Sequence, residues 1–304
     1  MASRIIEFFG YSPCDPSEAA EDARHRFRCP FIDAPCQKTL SDKLISGACT
    51  LEPKGGGPVI CCPYRLYAEE YKVLGDVARK AFGENCDLHP GHQAAENPAI
   101  PGRHRIAVFG KRWGKELRLP TRGRSGAYFV DWVLARLDDQ GQLAEFVAVE
   151  VQSIDTTGNY RGERAAYLRG EIQEAMSTAG FNWENVNKRI LPQLIYKGHV
   201  LRRERLCKSG LFFICPTPVY LKIRERLGGN LLDYIPQSGA LTLMWYDIGQ
   251  PGPDGHMRGL HLEGTFTTTI DQVALAFTSP SNLPDANVYE TALKAELGGL
   301  PTKR

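Results

Sequence analysis

A chain of 304 residues, 42% apolar and 24% charged, can bury the core of one large domain or two and has an ordinary globular composition. Ile5-Ile6-Glu7-Phe8-Phe9 is too short and wrongly flanked for a secretory leader, and no apolar run approaches the roughly 18 residues of a membrane span, so no membrane partner and a cytoplasmic protein are expected. A net charge of +2 excludes recruitment of a polyanion by overall charge, but not by local clusters.

The first segment is loop-like and rich in thiols. Of nine cysteines, Cys29, Cys36, Cys49, Cys61 and Cys62 fall between Pro30, Pro35, Gly47, Gly55-Gly56-Gly57 and Pro63. A segment with so few core residues needs a staple, and in a reducing compartment a tetrathiolate metal site serves where disulfides do not form. The set is Cys29, Cys36 and Cys49 with Cys61 or Cys62. Sulfur ligation fits zinc or iron, and free buried thiols are the other reading, because paired CxxC knuckles are missing.

Residues 66–82 have helical amphipathic spacing, with Tyr67, Tyr71, Leu74, Ala78 and Ala81 on one stripe. Residues 88–102, broken by Pro90, Pro98 and Pro101, read as a polar linker or a surface loop, and His89-Pro90-Gly91-His92 carries too much Pro and Gly for a helical zinc site. Strands are predicted at 105–109, 117–119, 128–137 and 146–154. Helices follow over 163–177, ended by Gly180, and over 185–196, kinked at Pro192. Further strands fall at 211–214, 241–246 and 260–268, before a helix at 270–277. This order predicts an α/β core with a mixed sheet flanked by helices, over residues 88–304, and a small loop-rich metal-binding subdomain over 1–87.

Two basic clusters stand out. Arg103, Arg105, Lys111, Arg112, Lys115, Arg118, Arg122 and Arg124 surround a single acid, Glu116, while Lys197, Arg202, Arg203, Arg205 and Lys208 contain only Glu204. Either alone reads as a solvated face; together they suggest a phosphate-bearing partner.

Between the clusters lie two misplaced acids. Val147, Val149 and Val151 point to one face of their strand, and Phe146, Ala148, Glu150 and Gln152 to the other. An unpaired carboxylate in so apolar a strand costs several kcal/mol, on the order of ~2–7 for a buried polar group and more for a charge. Asp131 repeats the anomaly in the preceding strand, across a turn at Asp138-Asp139-Gln140-Gly141. Asp131, Glu150 and the Val151 carbonyl can hold a hard cation such as magnesium. No GxxxxGK[ST] loop or GxSxG elbow offers competing chemistry. An acid, then an acid-x-polar strand, is the pattern of PD-(D/E)xK nucleases, with Gln152 where most carry lysine. Glutamine can orient a water but adds no positive charge.

The chain resembles the NotI restriction endonuclease family. Glu7-Phe8-Phe9-Gly10, Cys29-Pro30-Phe31, Cys36, Gly47-Ala48-Cys49 and Cys62-Pro63-Tyr64-Arg65 carry the resemblance at the start. Gly114-Lys115-Glu116-Leu117, Asp131-Trp132-Val133-Leu134-Ala135 and Glu150-Val151-Gln152-Ser153-Ile154-Asp155 continue it. Gly158-Asn159-Tyr160-Arg161, Asn185-Val186-Asn187-Lys188-Arg189 and His261-Leu262-Glu263 complete it. The resemblance implies a four-cysteine iron site of Cys29, Cys36, Cys49 and Cys62, choosing Cys62 because it precedes Pro63. It implies Asp131 and Glu150 as magnesium ligands, Gln152 as the water-positioning residue, and Glu116 as a further acid at the metal or its water shell. It also implies a bacterial homodimer, paired in the cell with a cognate methyltransferase, that cuts both strands of a palindromic GC-rich double-stranded DNA. Arg122, Arg124, Arg161, Arg164, Arg202 and Arg203 are the candidate DNA contacts, arginine being suited to guanine O6 and N7. The alternatives are a metal-stapled DNA-binding protein without catalysis and a structure-specific repair nuclease of the same fold.

Overall fold

Asp138 shapes the hairpin on which the fold is centred. Its Oδ1 accepts the backbone N–H groups of Gln140 (3.0 Å) and Gln142 (2.8 Å), and Gly141 takes a left-handed φ of +77° that favours glycine. The computed structural model describes residues 2–117, 129–172, 175–279 and 285–298.

The N-terminal part holds β1 (Ser3–Phe8), α1 (Glu18–His25), β2 (Arg28–Cys29), β3 (Ala34–Pro35), β4 (Ala48–Pro53), β5 (Val59–Ile60) and α2 (Ala68–Phe82). Then come β6 (Cys86–Pro90), β7 (His104–Gly110), β8 (Trp132–Leu137), β9 (Leu143–Val151), β10 (Thr156–Thr157), α3 (Arg161–Leu168), β11 (Gly180–Phe181) and α4 (Leu191–Leu201). The last part comprises β12 (Leu211–Pro216), α5 (Thr217–Leu227), β13 (Ala240–Ile248), β14 (Leu260–Thr269), α6 (Ile270–Thr278) and α7 (Val288–Gly298).

Seven strands form a mixed sheet in the order β14-β13-β12-β9-β8-β7-β6. Strands β9, β12 and β13 run parallel, as do β6 and β7, while β8 and β14 are antiparallel to their neighbours. The alternation read from residues 146–154 divides the core into two layers. Val147, Val149 and Val151 join Phe212, Ile214 and Met244 under Val73, Leu74 and Val77 of α2. Ala148 joins Phe213 and Leu243 on the opposite face, under Leu194 of α4, Val219 and Ile223 of α5, and Ile270 of α6. Each such fully buried side chain contributes about 1.5–3 kcal/mol of burial. Both layers also draw on residues before position 88, including Ile5, Phe8 and Leu51 in one and Phe31, Cys49 and Ile60 in the other.

Strands β1, β4 and β5 make a separate three-stranded sheet. Glu7 on β1 and Arg65, in the 3-10 turn Pro63–Tyr67, form an ion pair whose side chains are both 0% exposed. Arg65 Nε donates to both carboxylate oxygens (3.0 and 2.9 Å), and its Nη2 donates to the Arg258 carbonyl (2.7 Å). Thr50 Oγ1 donates to Glu7 Oε2. Gly47 is required beside this sheet: at φ +73° a Cβ there would lie 2.5 Å from the Phe9 ring.

The strands read at 105–109, 211–214, 241–246 and 260–268 and the helices read at 66–82 and 270–277 stand within a few residues. Others require correction. Residues 88–102 are not a plain linker: Cys86–Pro90 forms the edge strand β6, where Pro90 is tolerated because an edge has one free side. Strand β8 begins at Trp132, so Asp131 stands at its mouth rather than inside it. The helix read to 177 ends at Leu168, close to the left-handed Gly170 (φ +74°), and Gly180 belongs to β11. The helix read at 185–196 is longer: a π-helical turn over Val186–Ile190 runs directly into α4, which ends at Leu201, with Pro192 just after the junction. Helices α1, α5 and α7 and strands β1 to β5, β10 and β11 have no counterpart among the predicted elements. The strand read at 117–119 lies largely outside the described residues. Among the described residues no helix is long and apolar enough to cross a membrane.

Candidate active site

The β8–β9 register brings the two acids together. Arg136 stands opposite Glu145, reinforced by an Arg136 Nε–Glu145 Oε1 bond of 2.7 Å, and Trp132 stands opposite Val149. Continuing that register places Asp131 beside Glu150; a slip of one residue would send Glu150 to the other face. Asp131 Oδ2 accepts the Val151 N–H at 2.8 Å, and the Asp131 N–H is in turn bonded to Glu150.

Glu150 is nearly buried, its side chain 12% exposed. Burial, with the neighbouring Asp131 carboxylate, pushes its pKa up to about 7 despite the opposing charge of Lys197. Asp131 opens on the solvent side of the recess, while the protein packed behind it desolvates its carboxyl. That desolvation, with Glu116 adding repulsion, raises its pKa against the Val151 N–H and Lys197. Glu116 is therefore within electrostatic reach of Asp131. Among the described residues no group of three or more His, Cys, Asp or Glu stands close enough to hold a metal ion, so Glu116 does not close a three-acid cage with Asp131 and Glu150.

Asp131, Glu150, Val151 and Gln152 line a cavity of about 530 Å³, together with Lys38, Asp155 and Gln193. Gln152 follows the end of β9, where its N–H donates to the Ile214 carbonyl (3.0 Å) and fixes the backbone beside the acids. Asp155 accepts from Asn185 Nδ2 (2.6 Å) and Arg189 Nη1 (3.0 Å), which ties the end of the acid-bearing segment to the start of the α4 region. Gln193 also lines an adjoining cavity with Phe129, Lys188, Arg189, Tyr196 and Lys197.

Sequence reasoning placed Lys197 in a basic cluster and missed its position. Its Nζ donates to Glu150 Oε1 at 2.5 Å. Gln193 and Lys197, four residues apart on α4, were the available signal. Lys38 was also missed. Its Nζ is occupied by the Ala48 carbonyl (3.2 Å), the Cys61 carbonyl (2.8 Å) and Cys61 Sγ (3.0 Å).

The proposed arginines are scattered in role. Arg122 and Arg124 lie outside the described residues. Arg161 bonds Asp42 and Ser41 (both 3.1 Å), and Arg164 donates to the Ile45 carbonyl (2.6 Å), so both brace the segment before β4. Arg202 pairs with Asp271 (2.7 Å), and Arg203 is exposed.

Cys29 on β2, Cys36 just after β3, Cys49 on β4 and Cys62 at the start of the 3-10 turn interact electrostatically with one another. Burial is the largest cause in each shifted case: Cys29 is pushed up to about 11, Cys62 to about 12, and Cys49 well above the usual thiol range. Cys61 Sγ instead meets Lys38 and the carbonyls of Ala48 and Cys49. Among the described residues these thiols are neighbours, not a closed metal cage.

The family model described as restriction endonuclease NotI matches residues 17–208, which includes the acid pair, Lys197 and all five clustered cysteines. The chain belongs to the NotI restriction endonuclease family. It is accordingly a type II restriction endonuclease, a phosphodiester hydrolase that acts on DNA. No curated protein matches the chain. Within this NotI-family enzyme, the seven-stranded mixed sheet presents Asp131 and Glu150 at one rim, against α4.

Proposed function

We propose that this enzyme hydrolyses both strands of a palindromic, GC-rich DNA site as a homodimer, in a magnesium-dependent reaction centred on Asp131 and Glu150. The observation that carries this reading is the paired acids at the mouth of the β8–β9 hairpin, lining one cavity. Two adjacent carboxylates, desolvated and repelling one another, are a hard-oxygen donor set that fits a divalent cation. Asp131, Glu150 and the Val151 carbonyl would hold magnesium, and Glu116 its water shell. When bound, magnesium supplies Lewis-acid stabilisation of charge on the phosphate.

The chain's own groups do the positioning. Gln152 orients a water toward phosphorus, in line with the leaving oxygen. The water oxygen bonds to phosphorus, the opposite P–O bond breaks, and the water's proton ends on the departing oxygen through solvent. Gln152 is neutral, so it directs this water without ionising it. The domain division at 87/88 is part of the same proposal, the first part being a thiol-stapled arm against the nuclease core. Arg122, Arg124, Arg161, Arg164, Arg202 and Arg203 remain the candidate DNA contacts. A cognate methyltransferase would protect the host's own sites. Non-catalytic DNA binding and structure-specific repair cleavage are the competing readings.

A digest separates these. Long mixed-sequence DNA incubated with the protein and magnesium should give discrete fragments whose ends map to one short palindrome. Intact DNA would favour binding alone, and cuts set by branches or flaps would favour repair.

The proposal extends to Cys29, Cys36, Cys49 and Cys62 as the holders of a structural iron or zinc ion, supported by the mutual influence of the four thiols and the burial of Cys29, Cys49 and Cys62. Metal binding would displace the protons that burial now holds on Cys29, Cys49 and Cys62. Elemental analysis should find one iron or zinc per chain, lost in Cys49→Ser and retained in Cys61→Ser. Equal retention in both variants would reject the four-thiol set.

A further inference from the structure

In the acid-x-Gln strand, the side chain two positions beyond Glu150 carries no charge. A cation does reach this site, from a different element. Lys197 projects from α4, and its ammonium meets Glu150 Oε1 at 2.5 Å with only 17% of the side chain exposed. Its charge also acts on Asp131. Among the described residues Nζ makes no other hydrogen bond, whereas Lys38, on the same cavity, has its donors occupied by the Cys61 and Ala48 groups.

The fold fixes this placement. Leu191, Leu194 and Leu201 anchor α4 in the core, and Gly198, next to Lys197, allows α4 to close on α6: a Cβ there would lie 2.2 Å from Ile270 Cδ1. One turn earlier, Gln193 lines both the acid cavity and the adjoining one, and Lys197 lines the latter while touching Glu150 of the former. The ammonium thus stands where the two cavities meet. A DNA backbone seated at the acids would pass this point.

We infer that Lys197 is a further catalytic residue, supplying from helix α4 the positive charge that the Glu150-x-Gln152 strand lacks. It pairs with Glu150 in the metal-free protein. With a divalent cation on Glu150, its ammonium turns to a non-bridging oxygen of the scissile phosphate, beside the water that Gln152 orients. This rests on the nuclease reading above and adds a residue to it. Lysine needs no strict geometry for such a contact, because ammonium acts as a point charge with rotatable donors.

The test uses the full chain, with Lys197→Met, Lys197→Arg and the double variant Lys197→Met/Gln152→Lys. Single-turnover cleavage should fall about a hundredfold in Lys197→Met, as for loss of one transition-state charge donor, and be partly restored in Lys197→Arg. The double variant should also recover, since a lysine at 152 stands one residue past the end of β9, on the rim of the same cavity as the acids. Mn2+ affinity, read by electron paramagnetic resonance without DNA, should instead rise in Lys197→Met by about tenfold, because the competing cation on Glu150 is gone. A merely structural lysine would weaken Mn2+ binding and cleavage together, with a lower melting temperature. Unchanged cleavage in Lys197→Met, or loss of Mn2+ binding, overturns the role of Lys197 while leaving the nuclease reading intact. A wild-type protein that cuts no DNA with any divalent cation overturns the nuclease reading first; the Lys197 assignment falls with it.

Discussion

Replacing Glu150 with glutamine should abolish cleavage, by at least about a thousandfold, while DNA binding in the absence of metal is kept or strengthened. The loss follows from removing one of the two anionic ligands proposed to hold the cation, and with it the charge stabilisation that dominates phosphoryl transfer. Binding should not suffer, because the substitution removes negative charge from a site that must admit phosphates. Anisotropy on a cognate duplex, beside single-turnover cleavage, reads the two effects separately. Parallel loss of both would mean that Glu150 holds the fold instead of the metal.

The same substitution changes stability with pH in a defined direction. In the folded, metal-free protein burial and Asp131 raise Glu150 from the usual 4.5 to about 7. A raised pKa means that the folded state binds the proton more tightly than the unfolded chain. The associated stability is therefore fully present below about 4.5 and lost as pH rises through about 7, by as much as ~3 kcal/mol. Metal-free wild type should accordingly melt at lower temperature at pH 8 than at pH 6, and Glu150→Gln should flatten that fall. Added magnesium should restore wild type at pH 8 and leave the variant unchanged.

The acid pair was legible because strands betray themselves locally. Alternating valines give the face, Asp138 and Gly141 give the turn, and together they give the register that sets Asp131 near Glu150. Lys197 was only half legible: its spacing from Gln193 puts both on one face of α4, but nothing in residues 185–201 states that Gly198 packs on Ile270 and so which way that face turns. Strand β6 was hidden for a related reason: its five residues are all half-buried, without an apolar stripe, and their pairing with β7 is a backbone property. The thiol segment shows a third case. Spacing could not separate Cys61 from Cys62, and Lys38 stands by both: it hydrogen-bonds Cys61 Sγ and its charge also acts on the Cys62 thiol, which is coupled in turn to Cys29 and Cys36. Two short motifs also proved to be halves of one device: the Glu7 segment and the Arg65 segment, 58 residues apart, meet in the buried ion pair.

That pair predicts a large structural effect. Arg65→Met should destabilise the protein by about 3–5 kcal/mol, because it strands the Glu7 carboxylate in a dry interior with only the Thr50 hydroxyl for company. The guanidinium also packs 4.9 Å from the Phe31 ring centroid and donates to the Arg258 carbonyl, so its loss loosens the link between the thiol segment and the chain before β14. Glu7→Leu alone should cost a similar amount, leaving a buried cation unpaired. The double variant should cost less than either single one, since two apolar side chains need no solvation and the remaining losses are neutral hydrogen bonds. Urea unfolding, with slopes compared across the four forms, measures the coupling directly. Costs that simply add would mean that Glu7 and Arg65 stabilise the fold independently. A double variant more stable than either single would place the pair's value in geometry: it fixes the turn that presents Cys62, at a site where burial alone would have served stability as well.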